Sequence, residues 1–166
     1  AAISVTATTE DLFKQFLSAP EDKMHYFRDI STFGGCTAGP AAALENLKII
    51  ENEKLLDNVT AMGEYFMERF HELQDKYPVI GDVRGKGLFM GLELVKDRVT
   101  KEPVDESVTA GVVASCMQDG VMIGRTNRSF ETFNNTLCLS PALICTRDDA
   151  DEIVSAIDTA LAKIVL

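Results

Sequence analysis

Hydrophobic residues recur along this chain with two periods, and each change of period marks an element. Ile3, Val5 and Ala7 alternate with Ser4 and Thr6, which predicts a short strand with one apolar face. Thr8 and Asp11 form a capping pair ahead of Leu12, Phe13, Phe16 and Leu17, a helical stripe. Residues 18–35 show no period, and irregular stretches of that length inside a domain usually carry function. Pro40 suits a first helical turn, where its missing N–H costs nothing. Ala43, Leu44, Leu47 and Ile50 then share one side of a helix running to about Asn52. A longer helix is predicted over 54–76. Leu55, Val59, Met62, Phe66, Phe70 and Leu73 recur at steps of three and four, Glu64, Glu68, Glu72 and Asp75 face water, and Pro78 ends it.

After Pro78 the period drops to two. Leu88, Met90, Leu92 and Leu94 alternate with Phe89, Gly91 and Glu93 in a glycine-punctuated strand or hairpin. An amphipathic helix over 105–118 is closed by Gly120, and "VMIG" and "TLCLSPAL" read as short strands around the polar loop "RTNRSFETFNN". Thr146 and Asp149 form a capping box before Ile153, Val154, Ile157, Leu161 and Ile164. The order strand, strand, helix, strand, strand, helix predicts an α/β fold: a small, partly antiparallel sheet with helices on one face.

With 166 residues the chain fits one domain, or one domain and a piece of another. A net charge of −10 and a pI near 4.6 argue against nucleic acid and anionic membranes as partners, since both need a basic footprint. No apolar run approaches a membrane span. Cys36, Cys116, Cys138 and Cys145 show no C-x-x-C spacing, and the chain has two histidines, so neither a disulfide framework nor a metal site is expected. Free thiols in a reducing compartment fit better, which points to the cytoplasm. The three Asn-x-Ser/Thr triplets, at Asn58, Asn127 and Asn134, read as chance. The opening "AAISVTAT", with no Met and an alternation already under way, reads as a fragment entered in mid-strand.

Candidate chemistry centres on "STFGGCTAGP", residues 31–40. Gly34 and Gly35 let the backbone approach a ligand, Ser31 and Thr32 supply hydroxyls, and the helix beyond adds a favourable dipole. Those parts could hold a phosphate, although a Gly-Gly pair before a helix is more often a plain turn. Gly85, Gly87 and Gly91 read as packing or bulge positions. Lys86 reads as a solvated charge, because "GKG" lacks Walker spacing and no apolar pocket surrounds it.

Four stretches occur in a telling order: "STFGG" with its Ala-rich helix, "GDVRGKGLFMGLEL" at 81–94, "GVMIGR" at 120–125, and "SPALICTRDDADEIV" at 140–154. Together they make the chain resemble the C-terminal part of a class III (omega-type) aminotransferase, dependent on pyridoxal 5′-phosphate (PLP). The resemblance implies the small C-terminal domain of a fold-type I PLP enzyme over 38–166, behind the end of the large PLP-binding domain over 1–37. It implies a homodimer in which Thr32 reaches the cofactor phosphate of the other subunit, with Ser31 near the same site. It implies that Arg125 binds a substrate carboxylate, with Arg128 as the nearby competitor, and that Arg84 is structural. A planar guanidinium fork suits a carboxylate because two parallel N–H···O bonds fix its orientation.

The implied reaction moves an amino group from an omega-amino donor to a keto acid. The loop after Arg125 is similar to that of pyruvate-using members, including those that take taurine or beta-alanine. Two departures stand out. Cys36-Thr37 replaces the family's His-Pro, and none of the nine lysines has the context of the Schiff-base lysine, so the chain alone is expected to be inactive. A related PLP aminomutase or decarboxylase is the alternative within the fold. A free-standing α/β interaction domain is the alternative outside it.

Overall fold

A computed structural model describes residues 3–17, 31–128 and 133–164. The expectations for 18–30 and for the middle of the polar loop, 129–132, lie outside the described residues. The chain divides into two compact units, Ala1–Asn52 and Glu53–Leu166.

The first unit carries α1 (Glu10–Lys14) and α2 (Ala38–Asn52). The strand expected around Ile3 and Val5 is not formed, and both side chains are exposed. A strand needs a neighbour for its N–H and C=O groups, and the described residues of this unit supply none. Thr9, not Thr8, caps α1, its hydroxyl accepting from the Leu12 N–H at 3.4 Å. α2 starts at Ala38, so Pro40 stands in its first turn as expected. The stripes have the predicted period, and they lie uncovered. Leu12, Phe13, Phe16, Leu17, Leu44 and Leu47 are exposed, and neither helix buries a residue.

The second unit holds the core. It runs α3 (Leu55–Lys76), β1 (Ile80–Lys86), β2 (Phe89–Leu94), α4 (Glu106–Gln118), β3 (Gly124–Arg125), β4 (Thr136–Leu139) and α5 (Arg147–Leu161). The strands form one sheet in the order β1-β2-β4-β3, and every pairing is antiparallel. "VMIG" contributes only its last residue to β3, which continues to Arg125. Alternation decides the inner face: Met90, Leu92, Leu94, Leu137 and Leu139 are buried, whereas Phe89 is exposed. Phe66 and Phe70 of α3 and Ile157 and Leu161 of α5 are fully buried with them. Fully burying each such side chain contributes roughly 1.5–3 kcal/mol. The register of β1 and β2 shifts once, between Ile80 and Asp82. The family-motif glycines 85, 87 and 91 lie outside that irregularity.

Polar clamps join the helices. Asp151 on α5 accepts from the Tyr65 hydroxyl at 2.7 Å and from Arg69 Nη1 at 2.8 Å, both on α3. Asp158 accepts from Lys76 Nζ at 2.7 Å and the Tyr77 hydroxyl at 2.6 Å. Arg98 donates to the carbonyls of Gln74 and Tyr77, groups that the end of α3 leaves without helical partners, and to that of Ile80 at the start of β1. Asn58 Nδ2 donates to the carbonyls of Leu143 and Cys145 at 2.7 and 3.0 Å, a structural use for that amide. The predicted capping box is present, with the Asp149 N–H donating to Thr146 Oγ1 at 3.2 Å and the Thr146 N–H to Asp149 Oδ2 at 2.8 Å. Burial pushes the thiols of Cys116, Cys138 and Cys145 up, which makes them poor nucleophiles. Among the described residues no helix is long and apolar enough to cross a membrane.

Candidate active site

Residues 31–36 make two consecutive tight turns. The Gly34 N–H donates to the Ser31 carbonyl at 2.9 Å, and the Cys36 N–H donates to the Phe33 carbonyl at 3.1 Å. Gly35 has φ +80°, a conformation that side-chain-bearing residues rarely adopt. The N–H groups of Gly34 and Cys36 are therefore used inside the turns. Those of Thr32, Phe33 and Gly35 make no backbone hydrogen bond to another described residue. Thr32 is exposed. α2 begins just beyond, and its first turn holds N–H groups without helical acceptors. A cavity of about 500 Å³ adjoins the turns, walled by Ile3, Phe33, Gly35, Cys36, Gly39 and Pro40. The turns offer a hydroxyl, uncommitted amides and a helix N-terminus beside an apolar wall. A phosphoryl group fits that donor set.

Arg125 belongs to the other unit. β3 is short but pinned: Arg125 is paired with Leu137, and the Thr126 N–H donates to the Thr136 carbonyl at 2.9 Å. The Arg125 side chain is 27% exposed, and its Nη1 donates to Glu106 Oε1 at 2.6 Å and to the Thr126 carbonyl at 3.2 Å. Glu106 opens α4 behind the N-cap Asp105, and its second oxygen accepts from Asn134 Nδ2 at 3.3 Å. The bonds from Arg125 and then Asn134 hold the Glu106 carboxyl below its ordinary range, so it stays ionised. A cavity of about 460 Å³ next to Glu106 is lined by Glu102 and Asp105 against a single Lys96, which does not suit an anion. Arg125 does not line it.

The competitor Arg128 is exposed, and among the described residues it has no ion-pair partner. Arg84 Nη1 donates to Asp82 Oδ2 and to Glu93 Oε2, each at 2.7 Å, and so ties β1 to β2. Lys86 is exposed. Glu106 and Asn134 were not visible as site residues in the sequence. The only signal is a second carboxylate directly after a helix cap. Its partner lies 19 positions away, beyond the reach of any local pattern.

Comparison with known proteins extends over almost the whole chain. The family model for aminotransferase class-III matches residues 2–161. The hypotaurine/taurine–pyruvate aminotransferase of Paracoccus denitrificans (strain Pd 1222) is 62% identical over 164 residues, covering 99% of this chain and 36% of that protein. The chain therefore spans about a third of the length of such curated relatives. Among solved structures, a Bacillus anthracis aminotransferase superposes with a TM-score of 0.88 at 38% identity, over 93% of this chain and 34% of that one. An amine transaminase from an uncultivated Pseudomonas species, in PLP-bound form, gives 0.75 at 32% identity, over 92% of this chain and 32% of that one. The motif order, the antiparallel sheet that carries Arg125 and these matches agree: this chain belongs to the aminotransferase class-III family.

Proposed function

We propose that the protein to which this chain contributes is a PLP-dependent aminotransferase moving an amino group from an omega-amino donor of the taurine type to pyruvate. The observation that carries this reading is the 62% identity, along 99% of the chain, to a hypotaurine/taurine–pyruvate enzyme. In the reaction the donor's amine-bearing carbon becomes a carbonyl and the keto acid's carbonyl carbon gains the amine. PLP, when bound, stores the amino group between the two halves.

Within that reading the residues divide the work. Thr32 donates its hydroxyl to the cofactor phosphate of the partner subunit of a homodimer, with Ser31 beside it. The N–H groups left uncommitted in the turns add to the grip. Arg125 receives the carboxylate of the keto acid, and the sulfonate of a taurine donor in the other half-reaction. We place residues 1–37 at the end of the large cofactor domain and 38–166 in the small domain. The soluble cytoplasm is the compartment that suits free thiols.

Replacing Arg125 by Ala in the full-length enzyme tests the assignment. The KM for pyruvate should rise roughly 10- to 100-fold, the cost of losing hydrogen bonds to a charged group, while bound PLP remains. Loss of PLP, or an unchanged KM, would remove Arg125 from the substrate site. Product analysis separates a transaminase from a mutase or decarboxylase, because only the first converts pyruvate to alanine.

A further inference from the structure

We propose that Glu106 is the positioning residue for Arg125. It anchors the guanidinium by one corner and leaves the opposite edge set for the two oxygens of an incoming carboxylate or sulfonate. The inference rests on the reading of Arg125 given above and adds to it the group that fixes the arginine's orientation.

The geometry is one-sided. Both hydrogen bonds made by the Arg125 side chain leave from Nη1, one to Glu106 Oε1 and one to the Thr126 carbonyl. Among the described residues, Nη2 and Nε make none. These two nitrogens form the edge of the fork that matches two parallel oxygens. Had Glu106 engaged that edge with both oxygens, it would occupy the place of a ligand. Instead its second oxygen is taken by Asn134.

The anchor is itself held from several sides. Glu106 stands in the first turn of α4, whose start is fixed by Asp105 Oδ1 accepting from the Ser107 N–H at 2.8 Å. Its charge is shared among Arg125, Asn134 and the positive end of the helix dipole, with Asp105 working against it. The guanidinium therefore faces a partly compensated carboxylate and keeps attraction for a second anion. A long arginine otherwise loses rotamer freedom when it is immobilised by a ligand. An arginine fixed beforehand avoids much of that loss at the moment of binding.

The test uses the full-length enzyme and three variants. Glu106→Ala should raise the KM for pyruvate about tenfold, the loss of one charge-assisted bond, and leave kcat within about twofold. Glu106→Gln, whose amide oxygen still accepts from Nη1, should recover most of that loss. A purely structural role would lower kcat and KM fitness together and would not respond to the amide. A KM that stays unchanged or falls in Glu106→Ala, while Arg125→Ala raises it, overturns the anchor and leaves the substrate role of Arg125 standing; a fall would mean that Glu106 competes with the substrate. A KM insensitive to Arg125→Ala removes both.

Discussion

Gly63 and Gly87 meet backbone to backbone. A methyl group built on Gly63 would lie 2.7 Å from both the Cα and the carbonyl oxygen of Gly87, so α3 and the β1–β2 turn touch with no room for a side chain. Gly87 is itself constrained, with φ +54° and space for a Cβ only 2.6 Å from Val59 Cγ1. The two glycines set how closely the hairpin lies on the helix.

Gly63→Ala is therefore expected to destabilise the protein by about 1–3 kcal/mol, the usual cost of forcing atoms into a filled space. Thermal unfolding reads this as a lower midpoint. Gly111 is the internal control. It lies inside α4 with nothing within 4 Å of a built Cβ, so Gly111→Ala should stabilise by roughly 0.5–1 kcal/mol. Equal effects at the two sites would deny the close contact.

The Asp158 clamp predicts a stability plateau in pH. The Asp158 carboxyl lies below its ordinary 3.8, through bonds from Lys76 and then Tyr77. A depressed carboxylate contributes stability above its unfolded value and loses it as pH falls through the lower folded value. Lys76 is raised from 10.5, chiefly by its bond to Asp158, and Tyr77 from 10.0, chiefly by burial. Those contributions are complete below the ordinary values and fade as pH rises through the higher folded ones. The clamp should be intact between about pH 4 and pH 10. Asp158→Asn should lower the plateau and flatten its acid limb. A pH series of denaturant midpoints that keeps the wild-type acid fall would rule this out.

Thr32→Ala should weaken PLP without altering the fold, since Thr32 is exposed and lies outside every core contact. Removing one hydroxyl bond to a dianionic phosphate predicts roughly a 10-fold or greater rise in the cofactor's Kd. Absorbance titration of the full-length apoenzyme measures it. Thr32→Ser, which keeps the hydroxyl, should remain near wild type. An unchanged Kd in Thr32→Ala would leave the turns with a purely structural role.

What the sequence discloses here follows from how local each cause is. α3, α5 and the β1–β2 hairpin are legible because their burial pattern repeats within a few residues, and the Thr146–Asp149 capping box spans three positions. The stripe of α2 has the right period, yet Leu44 and Leu47 stay exposed, because periodicity names a face without supplying what covers it. The same limit governs the strand expected at Ile3 and Val5. At the candidate site, the turn at 31–36 is readable from its glycines. Which of its N–H groups remain available is set by the Ser31 and Phe33 carbonyls, a matter of coordinates. The Arg125–Glu106–Asn134 cluster joins β3, α4 and the loop before β4, and has no local signature.

Among the described residues, every buried hydrophobic side chain lies between Leu55 and Leu161. A gene-shuffling experiment that exchanges the coding sequence after Asn52 between relatives would carry each donor's interior packing across intact. Chimeras joined there should survive far more often than those joined inside α3.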